Sequence, residues 1–413
     1  MTKPLDLPPA FRERMSRELD DFEMFEKTLA EGPITSVRVN PHKGNSELTG
    51  TPIEWCPNGL QLAERPLFTL DPLFHAGTYY VQEAASMFVD HVLNQISVDP
   101  NGVAVDLCAA PGGKSTILAN HLPSGLVLAN EVIRSRAHIL AENCAKWGTG
   151  NFIVTNNDPK QIGDIGGFAD ILLIDAPCSG EGLFRKDKDA TKEWSLDNCS
   201  LCESRQKRIV ADSIDCLKEG GYLIYSTCTY NKGENDLNVQ YFIENYHLEH
   251  VEIGDIHADW NLSKTEYGYQ FFPHRSTGEG FYISVLKNKN ATVKPKKQKK
   301  KKNESGFHPF AGNIPGFVSD NNERHHLINA NDSIYLVNNI LKSSIQTLKT
   351  LTILSIGTEV ALKKGVKFIP THAAVISTKT SSYTFRLPSS RVSIAVKAPL
   401  PDASSVVPII SLL

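Results

Sequence analysis

The sequence predicts an α/β protein built on a parallel sheet with helices on both faces, preceded by a small N-terminal α+β domain and followed by a mixed C-terminal module. Two observations lead to this fold class. From about Val81 onward, strand-like and helix-like segments alternate, which is typical of a parallel sheet. A glycine-rich turn also joins one of these strands to the next helix, as at the opening of a nucleotide-binding βα unit.

The composition is that of a globular protein. Of 413 residues, 41% are hydrophobic and 22% are charged, and no run of about eighteen apolar residues that would predict a membrane span occurs. The opening "MTKPLDLPPAFRERM" lacks the apolar core of a secretory signal, so we expect a cytoplasmic chain whose eight cysteines stay reduced. The net charge of −3 gives no indication about a nucleic-acid partner, because attraction to phosphate depends on where the charges lie.

The N-terminal segment, residues 1–75, is predicted to begin with helices. Apolar residues recur there at a spacing of three to four, which is typical of amphipathic helices: Phe11, Met15, Leu19, Phe22, Phe25 and Leu29. The stretch "PITSVRVNP" then alternates like a strand and ends at the Asn40–Pro41 break. We therefore assign residues 1–75 to a separate N-terminal domain.

The central segment, residues 76–288, contains the predicted parallel sheet. We predict a helix in "QEAASMFVDHVL", and a buried strand, a turn and a helix in "GVAVDLCAAPGGKSTILANHL". The alternation then continues with strand "GLVLANE", helix "RSRAHILAENCAKWG", strands "FIVTNND" and "ADILLIDAP", helix "SRQKRIVADSIDCLKEGG" and strand "YLIYSTCT".

A lysine-rich run separates this segment from the C-terminal module. Residues 289–305 include "KPKKQKKKK", which cannot bury itself and is expected to be a solvated linker. In residues 306–413, "FHPFAGNIPGF" and "ILSIGTEVALKKGVKFIPTHAAV" predict short strands and turns. These residues are assigned to a small module with many β residues.

The turn "DLCAAPGGKS" is the predicted cofactor site. Ligands of open parallel sheets bind beyond the carboxyl ends of the strands, and Gly112 and Gly113 let the backbone turn sharply and approach a ligand closely. The spacing matches neither G-x-G-x-x-G nor the phosphate loop G-x-x-x-x-G-K-[ST], so a dinucleotide or a triphosphate is disfavoured even though Lys114 is present.

Three carboxylates recur at later strand ends: Glu131, Asp158 and Asp175. Glu131 follows the second strand, where a carboxylate can accept both hydroxyl groups of a ribose. Each acid taken alone can equally well cap the following helix. The three together, after a glycine turn, favour a cofactor of the adenosine type.

Two cysteines, Cys178 and Cys228, follow strands at positions fifty residues apart (228 minus 178). Adding a thiolate to C6 of a pyrimidine makes C5 able to attack an electrophilic methyl group, and Asp175, three residues before Cys178, is placed to supply a hydrogen bond at N3. A second cysteine nearby would then assist release of the product. This covalent chemistry gives both thiols a role.

The other cysteines have simpler interpretations. Cys108, Cys144 and Cys216 lie on apolar elements and are expected to pack in the core. Cys199 and Cys202 form a C-x-x-C pair, but neither a second such pair nor a His pair with ligand spacing accompanies them. We therefore expect no metal site.

These motifs resemble those of the Nop/Sun-type RNA cytosine-C5 methyltransferases, and among them the bacterial RsmF-type ribosomal RNA enzymes. The resemblance covers roughly residues 5–375 and rests on "SVRVNP", "YYVQEAASM", "DLCAAPGGKS", "DAPCSGEGLFRKD", "YSTCTYNKGEND" and, more weakly, "KGVKFIPTHA". It implies a Rossmann-like S-adenosylmethionine-dependent methyltransferase domain, an N-terminal RNA-binding domain and a C-terminal PUA-like RNA-binding module. It also implies a monomer that makes 5-methylcytidine in 16S ribosomal RNA, free or in the assembling 30S subunit.

The resemblance also implies roles for individual residues. Cys228 would be the nucleophile and Cys178 would assist product release, whereas in DNA cytosine methyltransferases the cysteine of a Pro-Cys pair attacks. Asp175 would also reach the target base. The residues implied to bind S-adenosylmethionine are Cys108, Ala109, Ala110, Pro111, Gly112, Gly113, Lys114, Glu131, Asp158 and Asp175.

Residues near the cysteine loop are candidates for RNA contacts. Arg185 and Lys186 in "GLFRKDKD" are predicted to meet phosphates near the target nucleotide, with a solvated charged turn as the alternative. Tyr79 and Tyr80 can stack on an unstacked base or simply pack beside a helix.

The end of the chain departs from the family pattern. The lysine-asparagine-glycine segment and the tyrosine-proline pair that close RsmF-like proteins are missing, and a serine-rich, hydrophobic tail follows "THAAVIST" instead. We hypothesise a truncated or frame-shifted terminus, so that the PUA-like module is incomplete at its end. The alternative functions are a tRNA cytosine-C5 methyltransferase, a DNA methyltransferase, and a noncatalytic RNA-binding or ribosome-assembly factor.

Overall fold

A computed structural model of the chain describes residues 5–44, 48–296, 306–311, 325–330 and 332–377, together with the backbone of residues 383–386 and 393–396. Most of the predicted lysine-rich linker, residues 297–305, lies outside the described residues. So does most of the tail in which we hypothesise a truncation or frame shift.

The N-terminal part consists of helices and a four-stranded antiparallel sheet with strand order β2-β3-β1-β4. The amphipathic pattern at residues 11–30 forms two helices, as predicted, with a break between Leu19 and Asp21. The elements are α1 (Pro9–Glu18), α2 (Phe22–Leu29), β1 (Thr35–Val39), β2 (Thr51–Ile53), β3 (Cys56–Leu62), α3 (Pro72–Ala76) and β4 (Tyr79–Val81).

The central part alternates strands and helices. Its elements are α4 (Phe88–Gln95), β5 (Val103–Asp106), α5 (Gly113–His121), β6 (Leu126–Asn130), α6 (Arg134–Trp147), β7 (Phe152–Thr155), α7 (Pro159–Gly163), β8 (Ala169–Asp175), α8 (Ala190–Glu193), α9 (Leu196–Ser213), β9 (Leu217–Thr227), α10 (Asp236–Tyr246), β10 (Leu248–His250), β11 (Ser263–Lys264), β12 (Tyr269–Phe271) and β13 (Phe281–Asn288). The strands β9, β8, β5, β6 and β7 are parallel neighbours in that order, which confirms the predicted parallel sheet.

The strand order fixes where a ligand can bind. The chain passes from β5 outward to β6 and β7 and then returns to β8 and β9 on the other side of β5, so the order reverses at β5. Crevices at such reversals are the usual ligand sites of open α/β sheets. The glycine turn that follows β5 lies at this point.

The interior of the sheet is apolar on both faces. Neighbouring residues of β5, Ala104 and Val105, belong to hydrophobic clusters on opposite sides of the sheet, and both are fully buried. Because side chains alternate along a strand, a sheet covered on both faces needs nearly continuous apolar strands. This requirement explains the uninterrupted apolar runs in the sequence.

Besides the start of α9, which lies at Leu196 rather than at Ser204, two predicted helix boundaries are wrong because of tertiary contacts. The helix predicted to run through "LKEGG" ends at Ser213, and Leu217 already pairs with Ala169 as the start of β9, which then bulges where Gly220 takes a left-handed φ of 75°. The helix predicted to begin at Gln82 begins at Phe88, because Gln82 is held by contacts with the N-terminal sheet. Tertiary contacts override local helix propensity at both places.

Both edges of the parallel sheet carry antiparallel strands that were not predicted. On one edge β13 pairs with β9, and β12 and β11 follow it. On the other edge, β17 (Ile353–Ile356) pairs with β7. A strand from the C-terminal segment therefore completes the central sheet.

The rest of the C-terminal segment forms short strands, as predicted. Its elements besides β17 are β14 (His308–Pro309), β15 (His325–Ala330), β16 (Ser333–Asn338), α11 (Asn339–Ser344), β18 (Thr358–Lys364), β19 (Lys367–Pro370), α12 (His372–Ile376), β20 (Tyr383–Arg386) and β21 (Ser393–Val396). Five of the strands form an antiparallel sheet with order β14-β15-β16-β18-β19. None of the helices in the described part of the chain has the length and apolar character that a membrane crossing requires.

Candidate active site

Two thiols meet at the carboxyl edge of the sheet. Because β8 and β9 are parallel neighbours, the residues that follow them emerge at the same edge. Cys228 comes directly after β9, and Cys178 lies three residues beyond Asp175, the last residue of β8. Their Sγ atoms are 3.0 Å apart, and the backbone N–H of Cys228 lies 3.3 Å from Cys178 Sγ. The structure thus brings together the two cysteines selected from the sequence.

The loops that carry these thiols are bonded to each other. The hydroxyl groups of Ser179 and Thr229 are 2.9 Å apart, and Gly182 N–H donates to the carbonyl oxygen of Cys228 at 2.9 Å. A Cβ at Gly182 would lie 2.4 Å from the carbonyl oxygen of Gly280, so only glycine fits this approach. The relative position of the two thiols is therefore fixed by several contacts.

The environment of Cys178 favours its protonated form. The hydrogen bond with Cys228, together with burial and the nearby carboxyl of Glu234, raises the pKa of the Cys178 thiol well above its usual range. Cys178 therefore holds a proton beside the sulfur of Cys228 near neutral pH. Cys178 is therefore suited to keep and pass on a proton.

Glu234 stabilises the Cys178 loop through hydrogen bonds. Its Oε2 accepts hydrogen bonds from Ser179 N–H and Gln206 Nε2, both at 2.9 Å, and Gln206 also donates to the carbonyl oxygen of Pro177. Burial raises the pKa of the Glu234 carboxyl to about 7. Its other oxygen, Oε1, is buried and has no hydrogen-bond partner among the described residues, which suits a protonated carboxyl.

Asp175 forms an ion pair next to the thiols. Lys114 Nζ lies 2.7 Å from Asp175 Oδ2, and Ser226 Oγ donates to Oδ1 at 2.8 Å. Burial opposes the charge on Lys114, but attraction to Asp175 outweighs it and raises the pKa of the ammonium group. Both carboxylate oxygens of Asp175 act as acceptors in this arrangement, with Lys114 as the donor beside them, and the expectation that Asp175 donates a hydrogen bond to N3 stays a prediction.

The glycine turn after β5 has the geometry predicted for a close backbone approach. Gly112 has a φ of 116°, and a Cβ there would lie 3.2 Å from Leu140 Cδ1. Below the turn, Ser115 Oγ donates to Asp106 Oδ2 at 2.6 Å, while Asp106 Oδ1 is buried without a partner among the described residues. Burial raises the pKa of Asp106 to about 7.

The other two predicted carboxylates also make local contacts. Asp158 caps α7, accepting from Lys160 N–H at 3.0 Å in a capping box, which is the alternative interpretation given above. Glu131 is almost fully buried, and its Oε1 accepts from Ile133 N–H at 2.9 Å while Oε2 lies 3.4 Å from Arg136 Nη1. Both stand at the carboxyl edge, after β6 and β7.

Arg185 does not occupy the position expected of a phosphate contact. Its guanidinium group is buried and bonded to both carboxylate oxygens of Glu279, with Nε–O distances of 3.1 and 2.9 Å. A side chain held in this way inside the protein cannot reach RNA, and it is not a solvated turn either. Lys186 is exposed, so only the second residue of the predicted pair is accessible to a phosphate.

The two tyrosines adopt the packing role. Tyr79 is buried and its hydroxyl donates to Asp71 Oδ2 at 2.6 Å. The hydroxyl of Tyr80 accepts from Asn143 Nδ2 at 3.4 Å.

The remaining cysteines are free thiols. Cys199 and Cys202 are both buried, and the described residues contain no group of three or more His, Cys, Asp or Glu side chains arranged to hold a metal ion. Cys144 and Cys216 are buried, and Cys108 is half-buried against the same cluster that contains Cys216. Burial raises the pKa of all three of these thiols, as expected of core residues.

Several residues of the site were not selected from the sequence. Three of them lie inside the quoted motifs: Asp106, Glu181 and Glu234. Their position between strand ends and glycines could have marked them as candidate site residues. Arg14 and Arg38 lie on the N-terminal elements, and only tertiary structure brings them to the site. Arg38 is buried, with Nε donating to Gln82 Oε1 at 3.0 Å and Nη2 to the carbonyl oxygen of Gly113 at 3.1 Å.

Comparisons with known proteins agree with this architecture. Residues 94–287 match the family model described as 16S rRNA methyltransferase RsmB/F, and residues 7–84 match the model described as the N-terminal domain of 16S rRNA methyltransferase RsmF. Among solved structures, NSun6 from Pyrococcus horikoshii with SFG is similar with a TM-score of 0.61 and 20% identity, over 70% of this chain and 100% of that one. A methyltransferase homolog protein from Pyrococcus horikoshii has a TM-score of 0.57 and 22% identity, over 68% of this chain and 100% of that one. At these identities the structures show a shared mixed α/β methyltransferase fold.

Curated relatives are similar in sequence over most of this chain. Ribosomal RNA small subunit methyltransferase F from Erwinia tasmaniensis is 34% identical over 314 residues, which are 70% of this chain and 65% of the relative. The protein of the same name from Escherichia coli O6:H1 is 34% identical over 307 residues, 69% of this chain and 64% of the relative. The chain thus spans slightly less than two thirds of the length of these relatives.

Proposed function

Because the chain belongs to the RsmB/F family of methyltransferases, we propose that it transfers a methyl group from S-adenosylmethionine to C5 of cytosine in RNA, with 16S ribosomal RNA as the substrate. The observation that carries this proposal is the 3.0 Å approach of Cys178 and Cys228 beside the Asp175–Lys114 ion pair. The presence of both thiols favours this reaction over the alternative of a noncatalytic RNA-binding factor, which does not need them.

The residues around the glycine turn fit an adenosine cofactor. The turn at Gly112 and Gly113 lies at the point where the strand order reverses, and Glu131 stands at the end of the next strand, where a carboxylate binds ribose hydroxyl groups. The buried Oδ1 of Asp106, which lacks a partner among the described residues, leaves an unused acceptor below the turn. When bound, S-adenosylmethionine would supply the electrophilic methyl group.

Cys228 is the proposed nucleophile. Its thiol first loses its proton to solvent, the thiolate adds to C6 of the base to form a Cys228–C6 bond, and the electron pair of the C5–C6 double bond becomes available at C5 for methylation. Release then requires loss of the C5 proton and cleavage of the S–C6 bond, with the electron pair returning to sulfur. Cys178 is placed to give its proton to the departing sulfur and to take up the proton that C5 releases.

Asp175 and Lys114 would orient the base. A carboxylate whose oxygens act only as acceptors suits the exocyclic amino group of cytosine, which is a donor. The ammonium group of Lys114, 2.7 Å from Asp175, would supply the donor that the ring needs as charge develops during addition of the thiolate. The pair therefore distinguishes cytosine from uracil, whose C4 substituent is an acceptor.

The flanking segments are proposed to bind RNA. Residues 1–75 would form the N-terminal RNA-binding domain, residues 76–288 the catalytic domain, and residues 306–413 a PUA-like module after the linker at residues 289–305. We also propose a cytoplasmic monomer that acts on small-subunit ribosomal RNA, free or within the assembling 30S subunit.

Product analysis tests this proposal. Purified protein is incubated with labelled S-adenosylmethionine and 16S ribosomal RNA that lacks its natural modifications, and the RNA is digested to nucleosides. Labelled 5-methylcytidine from the wild type and none from Cys228→Ala is the expected result. Label in any other nucleoside, or transfer that survives Cys228→Ala, would overturn the proposal.

A further inference from the structure

We infer that the Arg14–Glu181 ion pair has a positioning role. By docking on Glu181, helix α1 of the N-terminal segment fixes the position of the Cys178 loop relative to the Cys228 loop. The inference rests on the proposed function in treating Cys178 and Cys228 as the reacting pair. It assigns the N-terminal segment a task in catalysis beside its proposed binding of RNA.

Glu181 connects both loops. It lies three residues after Cys178, and its Oε2 accepts a hydrogen bond at 3.1 Å from the backbone N–H of Tyr230, two residues after Cys228. Its other oxygen, Oε1, accepts from Trp194 Nε1 at 2.9 Å. One side chain from the first loop therefore holds the backbone of the second, and the adjoining bond from Gly182 N–H to the carbonyl oxygen of Cys228 reinforces this link.

Arg14 supplies the positive charge for this buried carboxylate. Glu181 has no exposed surface, and Arg14 Nη2 lies 2.7 Å from its Oε2. Burial opposes the charge of Arg14, but the attraction of Glu181 outweighs that effect and raises the pKa of the guanidinium group. Because a buried charge is stable only when it is paired, Glu181 can hold Tyr230 in this way only while α1 is docked.

The apolar face of α1 aligns the ion pair. The ring of Phe11, one turn before Arg14, packs edge-on against Phe184 with 4.9 Å between ring centroids and against Trp194 at 5.9 Å. Phe184 follows Glu181 closely in the chain and Trp194 donates a hydrogen bond to it, so the helix contacts the surroundings of Glu181 through both apolar and charged groups. A shift of α1 would move Glu181 and, with it, the two thiols.

Arg14→Met tests the inference, and Arg12→Met is the matched control. Arg12 lies on the same helix and forms an exposed ion pair with Glu26, so it carries the same substitution without a link to the cysteine loops. We expect Arg14→Met to lower kcat by on the order of tenfold or more, because small displacements of reacting groups have effects of that size. The KM for RNA and the affinity for S-adenosylmethionine should stay unchanged. Arg12→Met should leave kcat and S-adenosylmethionine affinity unchanged, and Arg14→Lys should recover part of kcat.

The proximity of the thiols is measured independently of activity. The full-length protein is equilibrated in glutathione redox buffers, and peptide mapping quantifies the Cys178–Cys228 disulfide, which gives the effective concentration of one thiol toward the other. We expect this value to fall about tenfold in Arg14→Met and to be unchanged in Arg12→Met.

The double variant Arg14→Met/Glu181→Gln separates positioning from simple stability. Removing both charges should restore much of the unfolding free energy that Arg14→Met loses, while kcat and the effective thiol concentration stay low. Recovery of kcat together with stability, or an unchanged effective concentration in Arg14→Met, would overturn the inference. If the wild type transfers no methyl group, the proposed function fails. The disulfide equilibrium of Cys178 and Cys228 then tests the positioning role by itself.

Discussion

At the scale of single residues, the site depends on charges and protons held by burial and close pairing. Cys178 keeps its proton because of its hydrogen bond with Cys228 and its burial, and Asp175 is held as an acceptor by Lys114 and Ser226. These two features separate the roles of groups that lie side by side. Each can be tested by a substitution that preserves shape.

Asp175→Asn should abolish most activity while leaving the fold intact. The amide keeps the size of the carboxylate but loses its attraction for Lys114, and it can present a donor where the base needs an acceptor. We expect kcat to fall by at least about a hundredfold, as for other losses of electrostatic stabilisation at a reacting centre. Asp170→Asn is the control, because Asp170 lies at the other end of β8 in an ion pair with Lys218. Activity of Asp175→Asn within the range of that control would contradict the assigned role.

Glu234 gives the protein a measurable pH dependence of stability. Its pKa rises from 4.5 to about 7 on folding, so between these values the folded chain retains a proton that the unfolded chain has lost, and stability falls as the pH rises. The full effect is on the order of 3 kcal/mol at most. Urea unfolding from pH 5 to pH 8 should show a smaller decline for Glu234→Gln than for the wild type. Part of the decline will remain, because Asp106 shifts in the same direction. Parallel declines in the two proteins would show that Glu234 is not protonated in the folded state.

At the scale of the elements, the glycine turn between β5 and α5 shapes the proposed cofactor site. Gly112 combines a φ of 116° with a tight space beside Leu140, so a side chain there is strained in both backbone and packing. The turn therefore has little freedom to relax around a larger residue.

Gly112→Ala should weaken S-adenosylmethionine binding and cost about 1 kcal/mol or more in stability. Gly220→Ala is the control, since Gly220 also has a left-handed φ, of 75°, but has open space around it and lies in the bulge of β9. Isothermal titration should show weaker binding only for Gly112→Ala. Equal cofactor affinity in both variants would show that the turn does not bind the cofactor.

Sequence reasoning located the parallel strands, the glycine turn and the cysteine pair because each leaves a local pattern. Buried parallel strands are apolar runs, and reactive groups follow them directly, as Cys228 follows Thr227. The prediction for Arg185 was wrong because the partner of Arg185, Glu279, is ninety-four positions away in the chain. Local charge density does not reveal such a buried ion pair. Sequence reasoning missed Arg14 for the same reason, since Glu181 is 167 positions distant.

At the scale of the whole molecule, the flanking segments are joined to the central sheet rather than merely tethered to it. The strand β17 pairs with β7, and Thr352 exchanges hydrogen bonds of 3.0 Å with Asn156 N–H and Asn157 Oδ1, directly before Asp158. On the N-terminal side, Arg38 donates to the carbonyl oxygen of Gly113. The N-terminal segment thus contacts the glycine turn, and the C-terminal segment contacts the residues directly before Asp158.

Truncation tests the part played by β17. A chain that ends at residue 296 loses this strand, exposes the edge of β7 and frees Asn157, so it should unfold at a temperature several degrees lower and bind S-adenosylmethionine more weakly. A chain that ends at residue 377 keeps β17 and should match the full-length protein in both measurements. Equal cofactor affinity in the two truncated chains would show that the C-terminal segment does not support the catalytic sheet.

The central claim is that Cys228 forms a covalent bond to the base and that Cys178 is needed to break it. The most direct measurement incubates Cys178→Ala, Cys228→Ala and the double variant with S-adenosylmethionine and unmodified 16S ribosomal RNA, and looks for protein–RNA adducts on denaturing gels. An adduct that accumulates with Cys178→Ala and is absent from both variants lacking Cys228 is the predicted result. An adduct that persists without Cys228, or turnover by Cys178→Ala at the wild-type rate, would contradict the two-cysteine mechanism.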